Sequence, residues 1–227
     1  MAKETDKQAP PEKPPENMVQ WRVKEWFPQL TEQQQADLKK YHAELIKFNA
    51  VLNLISAKTM PISDNVHFAD CLLGAKMLEK KSVDTIYDFG SGNGFPGLIF
   101  AMMFPKWQVK LVEIDVRKSE FLKHMISNLK LLNAEVLLKS VEELPEKSVG
   151  FAVSRGFAGL SKSLIIARRC FRKGGVYFHM KSEEWLSEVA SLPSQLCTLW
   201  EPSLIGDYRL PVGEIQYSII QTKKLND

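Results

Sequence analysis

The sequence of 227 residues lacks the features of a secreted, membrane-spanning or disulfide-bonded protein. Its three cysteines, Cys71, Cys170 and Cys197, lie far apart and show neither the paired spacing of a zinc site nor the density of a disulfide framework. No run of about eighteen apolar residues occurs, and no apolar core of a secretion signal follows Met1. We therefore expect a cytoplasmic protein that has no metal site and no membrane segment.

An excess of charge of one sign is also missing. Lysine and arginine number 30 against 27 aspartates and glutamates, which leaves a net charge of +3. This value is too small for nucleic-acid binding to follow from charge alone, so any affinity for RNA must come from local patches. The length suits one sizeable domain with an extension, and we expect a monomer.

Composition divides the chain into three segments. Residues 1–16 carry four prolines among charged residues and predict a flexible tail. Residues 17–81 predict a helical extension, in which Thr31 and Gln34 resemble a capping box before a long amphipathic helix. Pro61 suits the first turn of a second helix that runs towards Lys80.

Residues 82–227 alternate short apolar runs with amphipathic stretches, as parallel strands covered by helices do. The predicted strands are 85–89, 109–113, 135–138, 151–154 and 176–180, and the predicted helices are 97–104, 116–132, 160–172 and 183–190. Residues 195–205 and 215–222 have no strong helix between them and can close the sheet as an antiparallel pair. The prediction is a doubly wound α/β domain with a mostly parallel sheet.

The most informative segment is residues 88–97, with the sequence DFGSGNGFPG, where a predicted strand ends and a predicted helix begins. Glycines at such a junction let the backbone turn tightly and approach a ligand without a Cβ atom in the way. The segment therefore predicts a nucleotide-like cofactor. Asp88 precedes the closely spaced Gly90, Gly92 and Gly94, a pattern that resembles motif I of the Rossmann-like methyltransferases.

Two cofactors compete for this loop. Gly92, Gly94 and Gly97 also satisfy the GxGxxG pattern of dinucleotide binding, so an NAD-dependent oxidoreductase stays open as an alternative. The carboxylate of Asp88 repels a pyrophosphate but attracts the ammonium and sulfonium groups of S-adenosylmethionine, which we therefore favour. Glu113 ends the second predicted strand and is expected to accept hydrogen bonds from both ribose hydroxyls.

Further blocks along the chain, from about Leu45 to its end, are narrower signals than motif I. They are FN at 48–49, NL at 53–54, HFAD at 67–70, LVE at 111–113, RK at 117–118, SVEE at 140–143, VSRGFA at 153–158 and MK at 180–181. Together with residues 88–97 they resemble the glucose-inhibited division protein B family of guanosine-N7 methyltransferases that act on small-subunit ribosomal RNA. Two departures are Gly156, where that family commonly has alanine, and Ser182, where glycine is usual.

The resemblance implies a Rossmann-like class I methyltransferase fold, S-adenosyl-L-methionine as cofactor, and small-subunit (16S) ribosomal RNA or the small ribosomal subunit as partner. It further implies that Gly90 and Phe95 line the cofactor site and that Val141 and Glu142 lie beside the adenine. Arg155 is implied to face the cofactor and the reaction centre, where we expect it to position the cofactor carboxylate or an RNA phosphate. The predicted cofactor-binding residues are thus Asp88, Gly90, Gly92, Gly94, Phe95, Glu113, Val141, Glu142 and Arg155.

The residues after the fourth predicted strand bear on the methyl acceptor. Enzymes that methylate adenine N6 resemble one another in an Asn/Asp-Pro-Pro-aromatic motif, where this chain has Ser-Arg-Gly-Phe at 154–157. Pyrimidine C5 methylation needs a thiolate, and no cysteine stands at a strand end that faces the predicted cofactor. Guanine N7 has a free lone pair and no proton, so its methylation needs no general base. Another RNA, a protein or a small molecule stays open as an alternative acceptor.

A final group of residues is predicted to contact RNA. Its members are Asn53, His67, Arg117, Lys118 and Lys181. His67 and Asp70 share one helix face, so a structural pairing with each other and a role at the cofactor pocket are equal alternatives for them. Most surface lysines and arginines are solvated, which is the alternative for the basic members.

Overall fold

The computed structural model of the protein describes residues 19–214 and 216–226. The predicted tail at residues 1–16 lies outside the described residues. Within those ranges, none of the helices combines the length and apolarity needed to cross a bilayer.

The chain opens with a helical layer, as predicted. A short helix α1 (Val23–Trp26) precedes the long helix α2 (Glu32–Leu52). The capping box is confirmed, because the Thr31 side chain accepts from the Gln34 N–H while the Gln34 side chain accepts from the Thr31 N–H. Asn53 ends α2 in the left-handed conformation, at φ 48°.

The prediction of one continuous second helix from Pro61 towards Lys80 was wrong, because this segment consists of three helical pieces. A 3₁₀ turn (Met60–Ile62) holds Pro61 in its first turn and leads into a π-helical segment (Asp64–Ala69), which is followed by α3 (Asp70–Leu78). A π-helical segment widens the helix locally and turns side chains out of the α-helical register. Here that segment contains His67 and lies just before Asp70.

The remainder of the chain forms one seven-stranded sheet covered by helices. Its strands are β1 (Thr85–Phe89), β2 (Gln108–Glu113), β3 (Ala134–Leu138), β4 (Val149–Arg155), β5 (Phe171–Ser182), β6 (Trp200–Arg209) and β7 (Gln216–Lys224). The helices are α4 (Gly97–Met103), α5 (Val116–Leu129), α6 (Leu160–Ala167), α7 (Trp185–Ala190) and α8 (Ser194–Cys197). All five predicted parallel strands are present, and the predicted closing pair is antiparallel.

The spatial strand order is β3-β2-β1-β4-β5-β7-β6. Strands β1 to β5 run parallel, and β7 pairs antiparallel with both β5 and β6. The order reverses between β1 and β4, and ligands of doubly wound sheets bind beside such a reversal at the carboxyl ends of the strands. This topology places the segment after Phe89 beside the segment after Arg155.

One helix prediction was wrong at its end. The segment predicted as a helix over 160–172 ends at Ala167, and β5 already begins at Phe171. Phe171 pairs with Val149 of β4 and is buried, so burial in the sheet outweighs the helical pattern there. The basic residues from Arg168 to Lys173 therefore lie on a turn and a strand start instead of along one helix.

The helical extension and the sheet share a hydrophobic core. Tyr41 and Phe68 of the helical layer pack against Phe95 of the glycine-rich loop, with ring centroids 5.0 and 4.9 Å from its own. A polar contact also joins the helical extension to the helices of the sheet. The Lys40 ammonium of α2 donates to the Asn128 carbonyl of α5 at 2.5 Å. The helical extension therefore packs directly against the glycine-rich loop, at the edge of the sheet where ligands are expected to bind.

Candidate functional site

The glycine-rich loop, residues 90–97, is shaped by close contacts that only glycine permits. Gly90, Gly92 and Gly94 have φ values of 68°, 53° and 95°. A Cβ atom on Gly90 would lie 2.5 Å from the Phe157 ring, and one on Gly94 would lie 2.5 Å from Leu98. Gly90 and Gly92 are partly exposed, whereas Gly94 is buried. Gly90 and Gly92 therefore lie on the side of the loop that is open to a ligand, whereas Gly94 lies on the side that packs against the protein interior.

Asp88 lies beneath the loop and is completely buried. Its Oδ2 accepts from the Gly97 N–H at 3.0 Å, while its Oδ1 has no partner within the described part of the chain. Burial raises the pKa of Asp88 to about 7, against the opposing effect of the Gly97 N–H. Asp88 is therefore placed to act on a cofactor through its charge and through the loop it holds, and not through direct exposure.

Glu113 anchors the loop at the end of β2. Its Oε2 accepts from the Gly92 N–H at 2.7 Å, and its Oε1 accepts from the N–H groups of Ile114 and Asp115 at 2.9 and 2.8 Å. Glu113 is 6% exposed. A carboxylate offers about four acceptor positions, so these three bonds leave acceptor capacity for a ligand hydroxyl.

Two residues that the sequence patterns did not single out tie the loop to the helical extension. The Tyr41 hydroxyl donates to the Asn93 carbonyl at 2.5 Å, and the Asn93 side chain donates to the Leu54 carbonyl at 2.9 Å. Tyr41 is one of the buried residues on the apolar face of α2. The apolar periodicity that places it there says nothing about where its hydroxyl points.

Phe95 and Arg155 lie against each other. The Arg155 guanidinium is 5.1 Å from the centroid of the Phe95 ring, and Phe95 is 2% exposed. Phe95 also stacks on His67 at 5.5 Å. It therefore backs the loop from below and supports Arg155, and the expectation that it lines the cofactor site stays untested.

Arg155 is the centre of a buried polar cluster. It donates to Asp70 Oδ2 at 3.0 Å, to the Val66 carbonyl at 3.1 Å and to His67 Nδ1 at 3.0 Å. Asp70 Oδ1 accepts from the Tyr208 hydroxyl at 2.6 Å. The Arg155 guanidinium is thus directed at α3 and the π-helical segment, and its contact with the cofactor carboxylate or an RNA phosphate stays a prediction.

The predicted pairing of His67 with Asp70 was wrong, whereas a role of His67 at the cofactor pocket or in RNA binding stays a prediction. Both residues bind Arg155 instead of each other. The second ring nitrogen of His67, Nε2, contacts the Thr59 hydroxyl at 3.3 Å. Because both nitrogens face protein groups, the imidazole has no free donor or acceptor for an RNA base in this structure.

Lys181 is also engaged within the protein, and its contact with RNA stays a prediction. Its ammonium donates to both carboxylate oxygens of Glu188, at 3.0 and 2.9 Å, and to the Ala158 carbonyl at 3.2 Å. Lys181 follows Met180, which pairs with Arg155 in the sheet. Its position at the strand end was predicted correctly, but its partner Glu188, which lies in α7, was not predicted.

The remaining predicted RNA contacts lie at the α2–α5 side of the site. Arg117 donates to the Val51 carbonyl at 2.6 Å and is exposed. Asn53 is exposed and serves as the left-handed end of α2. The Lys118 N–H donates to Asp115 Oδ1, and its side chain is partly exposed. A role in RNA binding stays a prediction for these three residues.

The predicted adenine side is apolar at its surface. Val141 is 3% exposed, whereas its neighbour Glu142 faces solvent. Ile114 follows Glu113 and is 70% exposed, and Leu138 at the end of β3 is 44% exposed. Exposed aliphatic side chains beside a buried carboxylate suit a ligand with a flat apolar ring and a sugar.

Three buried histidines should make the free energy of unfolding fall in acid. Burial lowers the pKa of His42 to about 4 and the pKa values of His67 and His179 to about 3. The unfolded chain protonates histidine near 6.5, so below that pH it binds more protons than the folded chain and stability is lost. Asp88 opposes this between about pH 7 and 4, because its raised pKa favours the protonated folded form.

With three groups against one, we expect the free energy of unfolding to drop by roughly 2–5 kcal/mol between pH 7 and pH 5. Denaturant titrations at these two pH values measure the difference. A stability that is constant or higher at pH 5 would contradict the assignment of three neutral, buried imidazoles.

Comparison with known proteins gives consistent matches. Residues 34–202 match the family described as rRNA small subunit methyltransferase G. The chain is 50% identical over 210 residues to ribosomal RNA small subunit methyltransferase G 3 of Bdellovibrio bacteriovorus, with 92% of this chain and 95% of that protein covered. It is 37% identical to ribosomal RNA small subunit methyltransferase G of Burkholderia ambifaria, with 72% of this chain and 74% of that protein covered.

The fold is similar to that of solved methyltransferase structures. A SAM-dependent methyltransferase from Aquifex aeolicus superposes with a TM-score of 0.54 at 14% sequence identity, over 80% of this chain and 97% of that one. The match extends beyond the glycine-rich loop to most of the sheet. It confirms the predicted Rossmann-like class I fold.

Proposed function

This chain belongs to the rRNA small subunit methyltransferase G family, and on that premise we propose that it transfers a methyl group from S-adenosylmethionine to N7 of a guanosine in small-subunit (16S) ribosomal RNA. The observation that carries the proposal is the 50% identity to a chain with that name over 92% of the present sequence. We further propose that the protein acts in the cytoplasm as a monomer.

The loop geometry fits S-adenosylmethionine. Gly90 and Gly92 expose backbone in conformations that leave no room for a larger residue at Gly90. Burial raises the pKa of Asp88 to about 7, so a cationic ligand at the loop would favour its ionised form, and Glu113 retains acceptor capacity toward a ribose. We propose that Gly90, Gly92 and Glu113 hold the cofactor and that Val141 with Glu142 borders its adenine.

The arrangement also suits a reaction without proton abstraction. S-adenosylmethionine, when bound, supplies an electrophilic methyl group on a sulfonium. His67 has both ring nitrogens engaged, and burial lowers its pKa to about 3, so it is not poised as a base. Guanine N7 needs no base, and the protein's task is to align donor and acceptor and to exclude water. Arg155 contributes by holding Phe95 and the end of β4 in place.

Ligand chemistry at the site favours a methyltransferase over a dinucleotide-dependent oxidoreductase. A cationic ligand at the glycine-rich loop favours the ionised form of buried Asp88, whereas a pyrophosphate would hold it in the protonated form, so the site favours the cation. Within the described ranges, no group of three or more His, Cys, Asp or Glu side chains is arranged to hold a metal ion.

The proposal is tested by methylation of purified small subunits and of naked 16S RNA, followed by mass spectrometry of the nucleosides. We expect one additional N7-methylguanosine per RNA, and the same nucleoside should be missing from RNA of cells that lack the protein. Methylation of a metabolite or protein extract but not of either RNA would reject the proposed acceptor. Tighter binding of NADH than of S-adenosylmethionine would reject the cofactor.

A further inference from the structure

The loop that follows β4, residues 156–159, carries Phe157 against the glycine-rich loop. A Cβ atom on Gly90 would lie 2.5 Å from Phe157 Cδ2, so the ring rests directly on the Gly90 backbone. The Phe157 ring centroid is also 6.4 Å from that of Phe89. Phe157 thus borders the ligand side of the site where β1 and β4 meet.

The sequence of this loop does not by itself hold Phe157 in place. Gly156, at φ 67°, and Gly159 flank the segment, and no atom lies within 4 Å of the Cβ position of Gly156. Glycine allows a wide range of backbone conformations, and a segment between two glycines can change direction at both ends. A fixed position for Phe157 therefore requires contacts from elsewhere in the fold.

The Ser163 hydroxyl of α6 donates to the Ala158 carbonyl at 3.2 Å, and an ion pair supplies two further contacts. The Ala158 carbonyl accepts from the Lys181 ammonium at 3.2 Å, and the Leu160 N–H donates to Glu188 Oε2 at 2.5 Å. Lys181 and Glu188 are joined at 2.9 Å, with side chains 17% and 27% exposed. The pair therefore binds the loop after Phe157 from the end of β5 and from α7 at the same time.

We propose that the Lys181–Glu188 pair is a clamp that fixes residues 156–160 and so holds Phe157 on Gly90 during methyl transfer. Both residues are positioning residues, because neither faces the glycine-rich loop directly. A partly buried, charge-assisted pair is suited to this role, since the loss of either member leaves the other charge without its partner. A shift of about 1 Å in a group that borders the reacting atoms can reduce the rate by roughly 100-fold.

The variants Lys181→Met and Glu188→Gln test the clamp. The kinetic part of this test rests on the proposed function. In single-turnover methylation of small ribosomal subunits at saturating cofactor, we expect each variant to be at least ~10-fold slower. The dissociation constant for S-adenosylmethionine should stay within about twofold, and the double variant should be no slower than the slower single variant. Lys181→Arg, which keeps the charge, should restore most of the rate.

The matched control is Lys110→Met. Lys110 forms an ion pair of 3.0 Å with Glu135 between β2 and β3, also from a strand to a carboxylate. This variant should change the rate by less than about twofold. An unchanged rate in Lys181→Met would overturn the clamp. So would a loss confined to the KM for RNA with an altered salt dependence, because this indicates that Lys181 binds RNA phosphate.

Amide hydrogen exchange supplies a readout that does not require activity. The Leu160 N–H is protected by Glu188, so peptides that cover residues 156–160 should exchange faster in Lys181→Met and Glu188→Gln than in the wild-type protein. If the wild-type protein methylates no RNA, the proposed function fails, and exchange alone decides the clamp. Unchanged exchange in both variants would overturn it.

Discussion

Replacement of Arg155 by methionine is expected to destabilise the protein by about 3–5 kcal/mol. The Arg155 and Asp70 side chains are only 17% and 4% exposed, so loss of the guanidinium leaves a buried carboxylate whose remaining side-chain partner within residues 19–214 and 216–226 is the Tyr208 hydroxyl. Removal of one member of a buried ion pair is much more costly than removal of both. For a chain of this length, we expect Tm to fall by roughly 6–20 °C.

A double-mutant cycle gives this prediction its control. Arg155→Met combined with Asp70→Asn removes both charges, and we expect it to recover at least about half of the lost stability. Arg155→Lys keeps the charge but loses the planar fork that contacts Asp70 and His67 together, so its stability should lie between those of the wild type and Arg155→Met. Unfolding free energies from denaturant titration measure all three. A loss below about 1 kcal/mol in Arg155→Met would show that the cluster contributes little to folding.

Glu113→Ala is expected to weaken S-adenosylmethionine binding by about 10- to 100-fold, which corresponds to roughly 1.4–2.7 kcal/mol. The substitution removes the acceptor for the N–H groups of Gly92, Ile114 and Asp115, and it removes the acceptor proposed for the ribose. The glycine-rich loop then loses its anchor on β2. Isothermal titration calorimetry with the cofactor measures the change in affinity.

Two comparisons separate the two roles of Glu113. Glu135→Ala removes an exposed carboxylate from the neighbouring strand and should leave cofactor affinity within about twofold. Thermal unfolding without cofactor reports the anchoring role alone, where unsatisfied N–H groups should cost about 1–3 kcal/mol. A Glu113→Ala protein that is destabilised but binds the cofactor normally would remove Glu113 from the ligand contacts and leave it as a loop anchor.

The helical extension has a part in both predictions. Arg155 is held by α3 and the π-helical segment, while the loop anchored by Glu113 is also held by the Tyr41 hydroxyl of α2. Residues 17–81 were predicted as a helical extension and residues 82–227 as the cofactor-binding domain. Their shared core and these contacts indicate that the site depends on both, so the boundary marks a change of secondary structure within one packed unit.

The local features of this protein follow directly from its amino-acid sequence. The capping box of α2, the strand that ends at Phe89, the glycine-rich turn and Glu113 at the end of β2 all follow from residues close together in the chain. Local spacing is informative there because a turn or a helix start is made by its own residues. The parallel strands were predicted for the same reason, from short apolar runs between helical patterns.

The polar groups that meet at the site, by contrast, are brought together by the packing of helices on the sheet. Arg155 was placed correctly at its strand end, but its partner Asp70 lies 85 residues away, and the Asp70 contact with Tyr208 spans 138 residues. Nothing in the sequence indicates that Lys181 has an intraprotein partner, whereas in the fold α7 places Glu188 against it. Such pairings depend on how helices pack on the sheet, and a charged side chain has the same appearance in sequence whether its partner is solvent or a buried carboxylate.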